Sequence, residues 1–218
     1  ARQEYEAGLV IAGELLALDP DSPSARDDLA VSHERLGVVA QAGGDLARAR
    51  ELFDENLALR KALAAGDPKN AAFQRDLSVA YNKRGEVAQA GGDLAQARAF
   101  FAEGLEQRKA LVAADPGDAE RRRDLSVSYE RLGDVAVAGG DLAAARGFFD
   151  EALALRKALA AADPKNAVAQ RDLAVSAERR GDIAQASGDL AAARAFFGEG
   201  LAIFKALAAA DPKNAELQ

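Results

Sequence analysis

The sequence contains no cysteine, no tryptophan and no methionine, and a single histidine, His33. Without thiols there is no disulfide, no thiolate nucleophile and no zinc–thiolate site, although a cysteine-free chain folds in either redox setting. One histidine offers a metal no second imidazole at ligand spacing, so His33 reads as a packing residue and no metal site is expected. Val and Ile are sparse beside abundant Ala and Leu, a mixture that favours helices and leaves no expected strand. No apolar run approaches the roughly 18 residues needed to cross a bilayer. Residues Ala1 to Val10 also lack the basic start and apolar centre of a signal peptide. These absences make the cytoplasm the expected location. Cations are in the minority as well: 28 Lys and Arg stand against 35 Asp and Glu, a formal charge of -7. That balance disfavours a nucleic-acid backbone as partner and suits a basic protein segment.

What is present is periodic. Asp-Pro recurs at Asp19-Pro20, Asp67-Pro68, Asp115-Pro116, Asp163-Pro164 and Asp211-Pro212, each 48 residues after the last. Gly37, Gly85, Gly133 and Gly181 keep the same spacing, as do Phe53, Phe101, Phe149 and Phe197. The chain is therefore read as one repeat array of four units, residues 20–67, 68–115, 116–163 and 164–211. Residues 1–19 align with the second half of a unit, and 212–218 with the start of another, so the chain reads as a fragment of a longer array.

Each unit predicts two helices. Ser22, Asn70, Asp118, Asn166 and Asn214 follow the Asp-Pro pairs and can accept a hydrogen bond from a free amide of a first turn. A first helix of about 20 residues then runs to a Gly-Gly or Ser-Gly pair, where glycine can adopt the left-handed conformation that closes a helix. Asp45, Asp93, Asp141 and Asp189 cap the second helix and complement its dipole. The next Asp-Pro ends that helix, because the residue before proline is steered away from helical geometry. In the second helix Leu94, Ala97, Phe101, Leu105 and Leu111 form one apolar stripe. Small residues at Gly85, Ala88 and Ala97 allow close approach of neighbouring helices, and short turns make each pair antiparallel. The expected fold is all-α, a solenoid of stacked helical hairpins.

In unit three Tyr129 is followed by Leu132-Gly133, then by Ala136, and in the second helix by Ala145, Phe149 and Ala152. This pattern resembles the tetratricopeptide repeat across essentially the whole chain, in a long 48-residue form similar to kinesin-light-chain-like bacterial repeats. The resemblance implies a right-handed superhelix. Departures from the pattern are His33 and Ala177 for the aromatic, Arg84 and Arg180 for Leu, and Asn56, Gly104 and Gly200 for the last Ala.

Catalysis is not expected. The glycine pairs lack the G-x-x-x-x-G-K-[ST] and G-x-G-x-x-G spacings and lie between helices. No nucleophile with a partnered base stands out, and no cofactor is implied. Adjacent residues on a helix point apart, so Arg75-Asp76, Arg123-Asp124 and Arg171-Asp172 read as inter-unit salt bridges or solvated charges.

In tetratricopeptide arrays the first helices line a concave groove. The resemblance projects Glu34, Asn82, Glu130 and Glu178 into that lining, then Val38, Glu86, Asp134 and Asp182, then Gln41, Gln89, Val137 and Gln185. Half of these twelve are acidic, with Arg35, Lys83, Arg131 and Arg179 beside them. The expected function is a non-catalytic scaffold holding a protein segment, with a basic segment suited to the groove. Rival expectations are a spacer that self-associates end to end, with Phe204 as a contact, or a sensor segment of a larger signalling protein.

Overall fold

The computed structural model describes residues 2–210, and among them it consists of nine α-helices. These are α1 (Arg2–Leu18), α2 (Pro23–Ala42), α3 (Leu46–Gly66), α4 (Ala71–Ala90), α5 (Leu94–Ala114), α6 (Ala119–Ala138), α7 (Leu142–Ala162), α8 (Ala167–Ala186) and α9 (Leu190–Ala210). No strand occurs among the described residues. The expected further unit at 212–218, with Asp211-Pro212 and Asn214, lies outside them.

The helix ends form where the side-chain chemistry provides for their free amides. Asn166 Oδ1 accepts from the Val168 and Ala169 amides at 3.1 Å each, and Ser22, Asn70 and Asp118 cap α2, α4 and α6 in the same manner. At the tight turns Gly44, Gly92, Gly140 and Gly188 have φ between 78° and 81°, a region open to glycine at little cost. The Asp141 amide donates back to the Ala136 carbonyl at 2.8 Å, and the Asp141 carboxylate accepts from the Ala144 amide at 2.9 Å. One aspartate thus closes one helix and opens the next.

The described residues divide into two compact units, 2–114 and 115–210. In the first, α1 packs on α2, α2 on α3, α3 on α4 and α4 on α5; in the second, α6 packs on α7, α7 on α8 and α8 on α9. Within each unit every helix thus lies against its neighbours in sequence, the stacking of helical hairpins that characterises an α-solenoid.

Two of the recurring phenylalanines, Phe53 and Phe149, fill the space between hairpins. Phe53 is fully buried with Ala49 and Val87, joining α3 to the following first helix, and Phe149 does the same with Ala145 and Ile183. On its other side each ring lies over a glycine. A Cβ on Gly133 would stand 2.6 Å from Phe149 Cε1, and one on Gly85 would stand 2.5 Å from Phe101 Cε1. Glycine is required there by contact, because both positions are ordinary helix.

Candidate functional site

The residues expected to line a groove fall into classes that the sequence does not separate. In the first unit, Glu34 on α2 and Gln89 on α4 are half-buried. Asn82 on α4 is buried, its Oδ1 2.9 Å from where a Cβ on Gly104 would lie. Lys83 Nζ donates to Glu86 Oε2 at 3.2 Å, one turn along the same helix. In the second unit, Glu130, Arg131 and Asp134 on α6 are partly buried, whereas Glu178, Asp182 and Gln185 on α8 are exposed.

Glu130 is committed inward. Arg156 of α7 is 4% exposed and grips the Glu130 carboxylate with both terminal nitrogens, Nη2 donating to Oε2 at 2.6 Å. The same guanidinium donates from Nε to Ser126 Oγ at 3.2 Å, and from Nη1 to Ser176 Oγ at 2.9 Å and the Asp172 carbonyl at 3.1 Å. It therefore ties α7 to both flanking first helices, α6 and α8. Arg60 holds the equivalent position in α3, paired with Asp27 of α2 and, at 3.0 Å, with Asp76 of α4. Arg108 of α5 reaches Ser78 Oγ of α4 at 3.2 Å. Buried charge is costly unless it is paired, and these contacts supply the pairing, although Arg60 Nε is buried without a hydrogen-bond partner.

Arg84 and Arg180, the two departures from leucine, are also accounted for. Arg84 is buried, paired with Asp54 of α3, and its guanidinium carbon lies 4.8 Å from the Phe100 ring centre. Arg180 repeats this with Asp150 of α7 and the Phe196 ring at 5.1 Å. The sequence carries a signal for both sets. Arg60, Arg108 and Arg156 fall on the apolar stripe of their helices at the 48-residue spacing, and Arg84 and Arg180 alternate with Leu36 and Leu132 just as Asp54 and Asp150 alternate with Ala102 and Gly198.

The remaining charges pair partly across hairpins. Arg123 Nε donates to Asp172 Oδ2 at 2.6 Å, an inter-repeat bridge of the expected kind, and this hydrogen bond raises the Arg123 pKa further. Arg179 Nη2 lies 3.8 Å from Asp134 Oδ1. Burial pushes the Asp134 pKa above the ordinary carboxylate value, with Arg179 and Arg131 opposing it. Burial likewise lowers the His33 pKa, and His33 Nδ1 is buried without a hydrogen-bond partner. Among the described residues no group of three or more His, Cys, Asp or Glu is placed to hold a metal, and no helix is long and apolar enough to cross a membrane.

Several solved structures share this arrangement. A putative kinesin light chain of Podosopora anserina with nearly identical TPR-like repeats matches with a TM-score of 0.57 and 21% identity, over 98% of this chain and 92% of that one. BtubC (BKLC) from P. vanneervenii matches with a TM-score of 0.55 and 16% identity, over 94% and 90% of the two chains. MamA matches with a TM-score of 0.52 and 15% identity, over 95% and 92%. The likeness establishes a TPR-like fold. No protein-family model matches the chain, and no curated protein matches its sequence.

Proposed function

We propose that the protein is a non-catalytic scaffold that holds an extended or helical segment of another protein along its first helices, and that its 48-residue unit is the long, kinesin-light-chain-like form of the repeat. The observation that carries this reading is on α8. Glu178, Asp182 and Gln185 lie at helical offsets of 0, 4 and 7, all exposed, so they share one face. Their carboxylates stand outside the ion pairs that engage Glu130 and Asp134. A polar, anionic stripe on a rigid helix suits a partner carrying Lys or Arg and steers it through charge. Glu130, paired with the buried Arg156, is less available to a partner than the exposed carboxylates of α8.

A fluorescently labelled Lys-rich peptide tests the reading by anisotropy. The native chain is expected to bind it, with affinity falling steeply as salt shortens the screening length below about 10 Å, and Glu178→Lys with Asp182→Lys is expected to abolish binding. Salt-insensitive binding, or equal binding by the double variant, overturns the basic-partner reading.

A second reading is favoured by exposed apolar residues on α1 and α9. Val10, Ile11 and Leu18 are 61%, 57% and 84% exposed, and Leu190 and Leu201 are 69% and 54% exposed. Clustered exposed apolar residues mark association surfaces. On this reading the chain stacks with copies of itself. Sedimentation is then expected to show mass rising with concentration, and Leu201→Glu to suppress the rise; a concentration-independent monomer rejects the idea.

A further inference from the structure

The two units carry corresponding apolar clusters, and two aromatic rings of the first are alanines in the second. In the first unit Leu57, Ala64, Leu77, Ala80 and Tyr81 form a buried cluster against which Phe73 of α4 packs. In the second unit Leu153, Ala160 and Leu173 form the corresponding cluster, and Ala169 of α8 packs where Phe73 does. The Tyr81 position is likewise taken by Ala177. Replacing a ring by a methyl in an otherwise equivalent framework leaves space that the surrounding helices close only partly.

That space is present. A cavity of about 330 Å³ opens between α6, α7 and α8, with Leu159, Ala162, Val168 and Ala169 among its walls. Val168 is 55% exposed, so the cavity is reachable from solvent. Arg122 and Arg123 also line it, and Arg122 Nε is buried with no hydrogen-bond partner. In the first unit the corresponding position is held by Arg26, whose Nη2 donates to the Pro20 carbonyl at 2.7 Å. The second unit thus combines an apolar hollow, vacated by an aromatic ring, with an unsatisfied donor at its edge. A buried donor without an acceptor is costly and recruits one when an oxygen is brought near.

We propose that this cavity is an anchor pocket for an aromatic side chain of a protein partner, phenylalanine in type, with an oxygen of the partner's adjacent backbone accepting from Arg122 Nε. Phe73 shows, within the same chain, the side chain that this framework accommodates. The proposal deepens the scaffold reading and rests on it: one large apolar anchor in a concave pocket commonly dominates the energetics of a protein interface.

N-acetyl-phenylalaninamide is the probe, followed by amide-resonance shifts in the full chain. Binding in the millimolar range is expected for a ligand of this size, with shifts confined to α6, α7 and α8. Ala169→Phe, which installs the residue of the first unit, is expected to fill the pocket and weaken binding by at least about ten-fold. Val168→Glu at the exposed rim gives the same loss without depending on how Ala169→Phe packs. Arg122→Gln is expected to weaken N-acetyl-phenylalaninamide more than toluene, which carries the ring but no acceptor. Undiminished binding in both the Ala169→Phe and Val168→Glu variants, or no shifts in α6–α8 with the native chain, overturns the pocket. The assay needs neither a basic partner nor a salt dependence, so its failure and the failure of the α8 reading are told apart.

Discussion

Phe149→Ala is expected to lower the stability of the α6–α7 hairpin by about 3–5 kcal/mol, the range for removing a fully buried phenylalanine. Phe149 is 2% exposed and packs with Ala145 of its own helix, Ala136 of α6 and Ile183 of α8, so the vacated space has several rigid walls. Gly133 sharpens the test. A Cβ there would stand 2.6 to 2.9 Å from three carbons of the Phe149 ring, and Gly133→Ala is therefore expected to cost about 1–3 kcal/mol as overpacking. With the ring removed by Phe149→Ala, the same glycine substitution is expected to change sign. The steric conflict is then gone and alanine is the better helix former by about 1 kcal/mol. Hydrogen exchange on α6 and α7 amides reads both effects locally. A Gly133→Ala penalty that is equal in the two backgrounds would show that the close approach to Phe149 is not why glycine stands there.

Arg156→Ala is the second large effect, expected at about 3–5 kcal/mol, because it leaves the Glu130 carboxylate partly buried without its partner. It also removes the donors to Ser126, Ser176 and the Asp172 carbonyl. Two consequences separate this network from an ordinary surface bridge. Arg156→Met combined with Glu130→Gln is expected to recover at least half of the loss, since replacing both members of a buried pair removes the desolvation cost as well as the attraction. The loss is also expected to vary little between low and high salt, because a guanidinium 4% exposed is poorly screened. Denaturant titrations of the native chain and the two variants at two salt concentrations measure this. A small, salt-sensitive effect of Arg156→Ala would place the pair among the weak exposed bridges instead.

These two experiments address different kinds of information in the chain. The glycine–phenylalanine contact was half legible. Gly133 and Phe149 each recur at 48 residues, and their small and large sizes predict close approach, but the sequence does not say that one ring meets one particular glycine. The helix ends were fully legible. Asn166 before α8 and Asp141 before α7 act within three residues of themselves, and interactions that local follow from residue type and spacing alone.

The buried arginines are legible only in part. The 48-residue spacing of Arg60, Arg108 and Arg156 on the apolar stripe marks them in sequence without naming their partners; only the arrival of Glu130 from α6 and Ser176 from α8 makes Arg156 a paired core residue. The same holds for Arg84 with Asp54, thirty residues apart. The candidate site suffered in consequence. Glu130, Asp134, Glu178 and Asp182 are equivalent carboxylates by position, yet α7 draws the first inward and Arg179 meets the second, while the α8 pair stays exposed. Likewise the substitution of Ala169 for Phe73 is visible in the alignment of units, but that it borders a cavity and not a closed core depends on how α6, α7 and α8 meet.

The sequence by itself determined the helices, their boundaries and their repetition, because capping, helical periodicity and glycine turns are decided by neighbours within a few residues. The tertiary structure alone decided which charges hold the hairpins together and which stay exposed, because desolvation and pairing depend on side chains that the chain brings together from 16 to 49 residues away.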